Sequence, residues 1–503
     1  MLPLLIVTIA HTGSVKGNGV HTPSFDFPRT DKGSHILTDS IPPDHSGMRD
    51  LSSVEVAKEL IPGWNIGNTL EATGGETAWG NPAVTQQLID SLHAAGFHAI
   101  RIPVAWTNFM DTSNHAYPIS PALLDRVEQV VNYVLKDSMY VLLNEHWDGG
   151  WMQPTLEQQD YVNNRLALMW KQIGIRFRDY GDHLIFAGMN EVMVNGDYGA
   201  PKPAYLRVQN SYLQTFVTTV RSTGGRNAYR YLAVQGFNTN IAYTTTGLII
   251  PTDVTPSRLM VEVHYYDPYN FTLNTGSGST TQWGNNATIK TDIWANEAYA
   301  DGQFRSLKTK FIDKGYGVLL GEYGVVARLN LGSAELNASY AGYRRYYTQY
   351  ITRSMERNGV VPFWWDAGST ANYGTGLFTR STGAKAYPEI IRSIIDTNYI
   401  NLTATSIASP NGRSLPAAFS LLQNYPNPFN PSTTIAFTPP SAAFVTLKVF
   451  DLIGREIATL VSEELSAGAY ARQWNAVNLS GGMYIYQLHA GTYTETKKLI
   501  LLR

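Results

Sequence analysis

Leu184-Ile185-Phe186-Ala187-Gly188-Met189-Asn190-Glu191 is an apolar run that stops on an amide and a carboxylate. A short, uninterrupted apolar run suits a strand buried on both faces. Comparable runs precede it at Trp64-Asn65-Ile66, Ala99-Ile100-Arg101-Ile102-Pro103-Val104 and Tyr140-Val141-Leu142-Leu143. Others follow it at Tyr231-Leu232-Ala233-Val234, Leu259-Met260-Val261-Glu262-Val263, Val318-Leu319-Leu320 and Val361-Pro362-Phe363-Trp364-Trp365. Helical patterns lie between most of them, as at Pro82–Ala95, Pro121–Leu135, Tyr161–Phe177 and Tyr205–Val220. Strand–helix alternation requires a parallel sheet, because parallel strands need crossovers. Eight such repeats over residues 51–400 predict an α/β fold, a closed (β/α)8 barrel. An open doubly wound sheet would carry a glycine-rich phosphate turn after its first strand. Gly63-Trp64-Asn65-Ile66-Gly67-Asn68 is followed by none.

The flanks read differently. Leu2-Pro3-Leu4-Leu5-Ile6-Val7-Thr8-Ile9-Ala10 is similar to the apolar core of a signal peptide, and the Gly, Ser, Thr, Pro and His that follow suggest a flexible leader, so residues 1–50 are set apart. Residues 401–417, rich in Ser, Thr and Asn, are expected to form a linker. In residues 418–503, Val445, Leu447 and Val449 alternate with Thr446, Lys448 and Phe450, and turns are marked at Ser480-Gly481-Gly482 and Ala490-Gly491. That pattern predicts a small all-β, immunoglobulin-like sandwich.

Composition narrows the function. A 503-residue chain of formal net charge −2 offers no basic field for nucleic acid or anionic membrane. No run reaches the ~18 apolar residues of a membrane span. With no cysteine, thiolate zinc sites, iron–sulfur clusters and cysteine nucleophiles are excluded. The 11 Trp and 30 Tyr fit either a large core or a surface for the flat apolar faces of sugars.

In a barrel of this kind, chemistry belongs at the C-terminal strand ends. The residues there are Asn65, Arg101, His146, Asn190 with Glu191, His264 with Tyr266, Glu322, and Trp365. A carboxylate at the end of a buried strand is costly unless paired or functional. Glu191 ends the fourth strand and Glu322 the seventh, which places them across the mouth from one another. Glycoside hydrolysis needs such a pair, one protonated to assist the leaving oxygen and one ionised to attack the anomeric carbon. Arg101 would hold Glu322 ionised if the two meet. His146 and His264 would hydrogen-bond the glutamates or the sugar. A zinc site on these histidines, completed by Glu191 or Asp148, is the competing arrangement. Trp79, Trp106, Trp147, Trp151 and Trp283 would either stack on outer sugar rings or pack beneath loops.

Taken in order, Gly63-Trp64-Asn65-Ile66-Gly67-Asn68-Thr69-Leu70-Glu71, Glu76-Thr77-Ala78-Trp79-Gly80-Asn81-Pro82, Arg101-Ile102-Pro103-Val104, Asn144-Glu145-His146, Asn190-Glu191, His264-Tyr265-Tyr266, Gly321-Glu322-Tyr323-Gly324 and Phe363-Trp364-Trp365-Asp366 resemble the motifs of glycoside hydrolase family 5. The resemblance covers residues 51–400. It implies a retaining endo-β-1,4-glucanase in which Glu322 is the nucleophile and Glu191 the acid/base, and no metal or cofactor is expected. It also implies that Asn190 binds the sugar 2-hydroxyl, that Tyr266 and Arg101 hydrogen-bond Glu322, and that His146 and His264 shape the site. Trp365, or its neighbour Trp364, would be the sugar platform, and Asn65, Trp79, Trp147 and Trp151 would bind substrate. Val192 stands where the family usually has proline. Xyloglucan, mixed-linkage glucan and mannan remain alternative substrates, and a non-catalytic glycan-binding protein is an alternative role. Leu421–Thr434, Val449–Glu456 and Gly482–Leu499 resemble the C-terminal sorting domains of the type IX secretion system, which implies a bacterial protein that is secreted or attached to the cell surface.

Overall fold

The computed structural model describes residues 40–146, 150–289, 291–396, 419–424, 427–465 and 470–502. Eight strands form the barrel: β1 (Gly63–Ile66), β2 (Ala99–Ile102), β3 (Tyr140–Asn144), β4 (Leu184–Ala187), β5 (Leu232–Asn240), β6 (Leu259–Tyr265), β7 (Gly317–Tyr323) and β8 (Val360–Asp366). They pair in parallel in sequence order, and β8 closes the ring against β1. Each is followed by a helix: α1 (Gln86–Ala95), α2 (Pro121–Lys136), α3 (Gln159–Phe177), α4 (Pro203–Ser222), α5 (Ile241–Gly247), α6 (Glu297–Lys310), α7 (Ala334–Arg357) and α8 (Pro388–Ile395). The (β/α)8 barrel expected from the apolar runs is the fold.

Local chemistry sets the helix boundaries. Thr85 accepts the Leu88 N–H to start α1, and Gly96 ends it in the left-handed region. Proline opens α2, α4 and α8, where its missing N–H costs nothing. At the end of α3 the fully buried Arg230 donates to the carbonyls of Phe177, Tyr180, Gly181 and Leu184 at 2.7–3.0 Å. Carbonyls that a helix leaves without partners are thus satisfied by one guanidinium.

Alternation decides what fills the barrel. Ile100, Val141, Val234, Val261, Leu320 and Trp364 point out into the helix-facing core. Ala99, Leu142, Ala233, Met260, Leu319 and Phe363 point inward, and Val56 and Ala57 of the helix Ser53–Glu59, with Leu60 that caps its end, close the N-terminal end beneath them. One inward layer higher, the residues become polar: Asn65, Arg101, Asn144, Gln235 and Glu262, all buried. Side chains two apart on a strand share a face, so this polar layer sits directly below the mouth.

Two expectations change at the boundaries. β7 runs on through Glu322, which the apolar run Val318–Leu320 alone did not suggest. The segment set apart as a leader extends to residue 50, yet Ile41–Pro43 pairs in parallel with Gly224–Gly225. Its first 39 residues, and the expected linker 401–417, lie outside the described residues.

The chain divides into two compact units, Met1–Ala404 and Thr405–Arg503. In the second, β9 (Ser420–Leu421), β10 (Ser432–Thr438) and β13 (Tyr470–Asn475) form one antiparallel sheet. A second sheet has the order β12 (Glu456–Leu465), β11 (Ala443–Phe450), β14 (Gly482–Ala490), β15 (Tyr493–Leu501). Val445, Leu447, Val449, Tyr486 and Leu488 of one sheet share a core with Ile435, Phe437 and Trp474 of the other. This is the all-β domain that the alternation predicted.

Candidate active site

Strand periodicity alone would turn Glu322 away from the mouth. Leu319 faces in and Leu320 out, so Gly321 faces in and Glu322 should face out. A β-bulge intervenes. Between Val263 and His264 on β6, β7 advances from Leu320 to Glu322. Between Pro362 and Trp364 on β8, it advances from Leu320 to Tyr323. The extra residue re-aims Glu322 into the barrel. Gly321 must then lack a side chain, since a Cβ there would lie 2.1 Å from the Glu262 carboxylate.

Glu322 is held on both oxygens. The Arg101 guanidinium donates to Oε1 at 3.0 Å and the Tyr266 hydroxyl to Oε2 at 3.1 Å. Arg101 also donates to Asn65 Oδ1 at 3.1 Å and to Asn190 Oδ1 at 2.8 Å, so one fully buried cation spans β1, β7 and the end of β4. His264 Nδ1 lies 2.8 Å from Glu191 Oε1 and 3.7 Å from Glu322 Oε2. One oxygen of Glu191, one of Glu322 and a ring nitrogen of His264 lie within 4.8 Å of one another. A cation could use that spacing, yet Glu322 is already engaged by Arg101 and Tyr266, and Glu191 by His264.

The electrostatics follow from burial and these contacts. Burial pushes the Glu322 carboxyl above its ordinary value; His264 and Arg101 oppose this, and Glu191 adds to it. Burial works against protonation of His264, but Glu322, Glu191 and Glu262 outweigh it and carry the ring to about 9. His146 goes the other way: burial, then Arg101 and His264, hold it well below the usual histidine range. Its Nδ1 lies 3.1 Å from the Asn144 amide nitrogen, and its ring stacks on Trp365 at 5.5 Å and 9°. The Trp365 ring also packs against Gly67, where a Cβ would meet it at 2.9 Å.

Other residues singled out in the sequence fall elsewhere. Trp364 is fully buried, with its indole N–H on the Thr375 carbonyl at 3.0 Å, and cannot serve as a sugar platform. Alternation sends it outward and leaves the half-buried Trp365 at the mouth. Asn65 is also fully buried, donating to the Gly321 and Trp364 carbonyls at 2.8 and 3.2 Å, so it lies beneath the site and out of reach of substrate. Trp106 and Trp283 are buried under loops, each donating to a carbonyl. Trp79 is 37 % exposed in the loop after β1, and Trp151 packs beneath the Arg165 guanidinium at 4.3 Å. Trp147 and Asp148 lie outside the described residues.

Sequence reasoning passed over two buried carboxyls. Glu71 accepts backbone N–H groups from Asn68 and Thr69 in the turn after β1, and burial raises it to about 7. Glu262 lies within the site's floor, and its position two residues before His264 on one strand was the available signal.

The family model for cellulase, glycosyl hydrolase family 5, matches residues 65–371. The chain belongs to glycosyl hydrolase family 5. It is similar to endoglucanase A of Paenibacillus barcinonensis, 38 % identical over 370 residues that cover 69 % of this chain and 90 % of that one. It is 40 % identical over 358 residues to a xyloglucan-specific endo-beta-1,4-glucanase of Bacteroides ovatus, covering 68 % and 70 % of the two chains. The solved Bacteroides ovatus family 5 xyloglucanase with a XXXG heptasaccharide superposes with a TM-score of 0.67 at 38 % identity, covering 71 % of this chain and 78 % of that one. The family 5 chain is therefore a glycoside hydrolase of the retaining endo-1,4-β-glucanase type. A second model, that of a secretion system C-terminal sorting domain, matches residues 423–502 and makes it a secreted or surface-attached protein. Among the described residues no helix is long and apolar enough to cross a membrane.

Proposed function

We propose that Glu322 is the nucleophile and Glu191 the acid/base of a double displacement on a β-1,4-glucan backbone. The observation that carries this is the approach of their carboxyl oxygens to within 4.8 Å across the mouth. Retention requires the nucleophile to reach the anomeric carbon directly, with carboxyls only about 5–5.5 Å apart and no room for a water between. The two glutamates also have different surroundings, as their different tasks demand. Glu322 carries the guanidinium and the phenol, both of which favour its ionised form. Glu191 faces an imidazole with which it can share a proton.

In the first step Glu322 Oε attacks the anomeric carbon as the glycosidic C–O bond breaks. The Glu191 proton passes to the departing oxygen, and a glycosyl ester forms on Glu322. In the second step Glu191 takes a proton from water, whose oxygen attacks the same carbon and releases Glu322. Asn190, oriented by Arg101, would hydrogen-bond the 2-hydroxyl, and Trp365, stiffened by His146 and Gly67, would stack beneath the sugar beside the cleaved bond. Trp79, Trp147 and Trp151 would contact outlying sugars.

The likeness to xyloglucan-acting relatives supports a decorated glucan such as xyloglucan as substrate. The sorting domain supports delivery by the type IX secretion machinery. Reducing-end release should be measured on carboxymethylcellulose, barley glucan, xyloglucan and mannan for the wild type and for Glu322→Gln. The variant should lose about four or more decades of kcat, as loss of a nucleophile does elsewhere, with unchanged thermal unfolding. Ordinary turnover by Glu322→Gln would refute the assignment. Binding without release by the wild type would make the protein a glycan-binding module.

A further inference from the structure

Beneath the two catalytic carboxyls lies a third, Glu262, with no exposure to solvent. A buried anion in a floor that already holds Arg101 is expensive unless its surroundings use its charge. Three neighbours converge on it. Arg101 Nε stands 2.8 Å from Oε1, and His264 Nε2 stands 3.6 Å from the same oxygen. Gln235 donates to Oε2 at 2.6 Å. Arg101 Nε, His264 Nε2 and Glu262 Oε1 form no aligned hydrogen bond, so Oε1 acts on both cationic groups through its charge. Gln235 in turn accepts the Met189 N–H at 3.1 Å, two residues before Glu191. Glu262 is thus joined to the nucleophile through Arg101 and to the acid/base through His264 and through Gln235.

The other face of the imidazole decides what this arrangement does. Nδ1 faces Glu191 Oε1 at 2.8 Å and Glu322 Oε2 at 3.7 Å. The remaining charged or titratable groups around the ring are Arg101 on β2, His146 after β3, and Tyr266 just after the end of β6. Because Oε1 of Glu262 favours a proton on Nε2, the proton between ring and acid/base must lie on the line from Nδ1 to Glu191 Oε1.

We propose that Glu262 is a positioning residue that pins one proton on Nε2 of His264, so that the Glu191–His264 pair keeps a second, transferable proton for the leaving oxygen. This rests on the reading of Glu191 as acid/base. In glycosylation that second proton leaves Glu191 for the glycosidic oxygen while the ring retains its Nε2 proton. In deglycosylation water returns a proton to the pair. Removing the Glu262 charge lowers the proton affinity of the pair, so the general acid is lost at lower pH.

The test is the pH profile of kcat/KM on a soluble glucan for the full chain, its Glu262→Gln and its Glu262→Asp variants, beside unfolding curves. Glu262→Gln should move the basic limb downward by about one pH unit or more, while Glu262→Asp restores most of that shift. A uniform loss of activity with both limbs in place would mark Glu262 as structural and overturn the proposal. Should Glu262→Gln fail to fold, nitrogen-15 histidine spectra of the wild type, with His264→Asn to assign the signal, decide the matter. An Nε2 that stays protonated through the alkaline limb supports the proposal, and one that is bare at neutral pH overturns it. Failure of the acid/base reading would show separately, as activity surviving in Glu191→Gln.

Discussion

Glu322 faces the barrel mouth although the alternation of β7 assigns its position to the outer face. Its sequence neighbourhood advertised chemistry, a carboxylate after an apolar run, but the bulge that turns it inward leaves no compositional mark except the glycine before it. Trp364 and Asn65 show the converse. Both sit in recognisable motifs, and both are buried because alternation within a strand outranks membership of a motif in fixing which way a side chain points. Glu262 was legible in principle, two residues before a histidine on the same strand, yet a charged residue inside an apolar run reads as an exception until its partners are known. His264 carries a further consequence. Its folded-state value of about 9 lies above the ordinary 6.5. The stability it contributes is therefore fully present below 6.5 and is lost as pH rises through about 9. Melting temperatures from pH 6 to 10 should fall more steeply for the wild type than for His264→Asn; parallel curves would show that the ring is not charged in the folded state.

At the scale of elements, eight short strands were readable because each carries a short, mostly apolar run, and their helices were readable from a 3.6-residue period and from caps such as Thr85 and Gly96. Connections were not, since loops follow partners remote in sequence. The clamp at the end of α3 is such a case: Arg230 precedes β5 in sequence but belongs structurally to the turn between α3 and β4. Arg230→Met keeps the stem and removes the donors, leaving several buried carbonyls without partners. At roughly 1–3 kcal/mol for each unsatisfied group, partly relieved by relaxation, the variant should lose about 3–5 kcal/mol. The urea midpoint measures this, and a change below about 1 kcal/mol would mean that water replaces the guanidinium.

On the scale of the whole molecule, the two units have separate cores, one built on the barrel and its helices and one on the two antiparallel sheets. Every group assigned to hydrolysis belongs to the first. A chain ending at residue 404 should keep its kcat on soluble glucan within about twofold, as expected when no catalytic contact is removed, and should lose delivery to the cell surface. A large fall in kcat would show that the tail takes part in catalysis. The seam between β8 and β1 bears on a different question, that of timing. Phe363 registers against Gly63, and Asn65 reaches across to the Trp364 carbonyl. Closing that seam joins residues about 300 positions apart, a contact that loop entropy places late in folding. On the ribosome, the nascent chain has no closed mouth until Asp366 has been synthesised. The sorting segment is translated later still. Every copy that bears the export address has therefore already been given all the sequence its hydrolytic centre needs, and a copy interrupted before residue 423 lacks the address even when its barrel is complete.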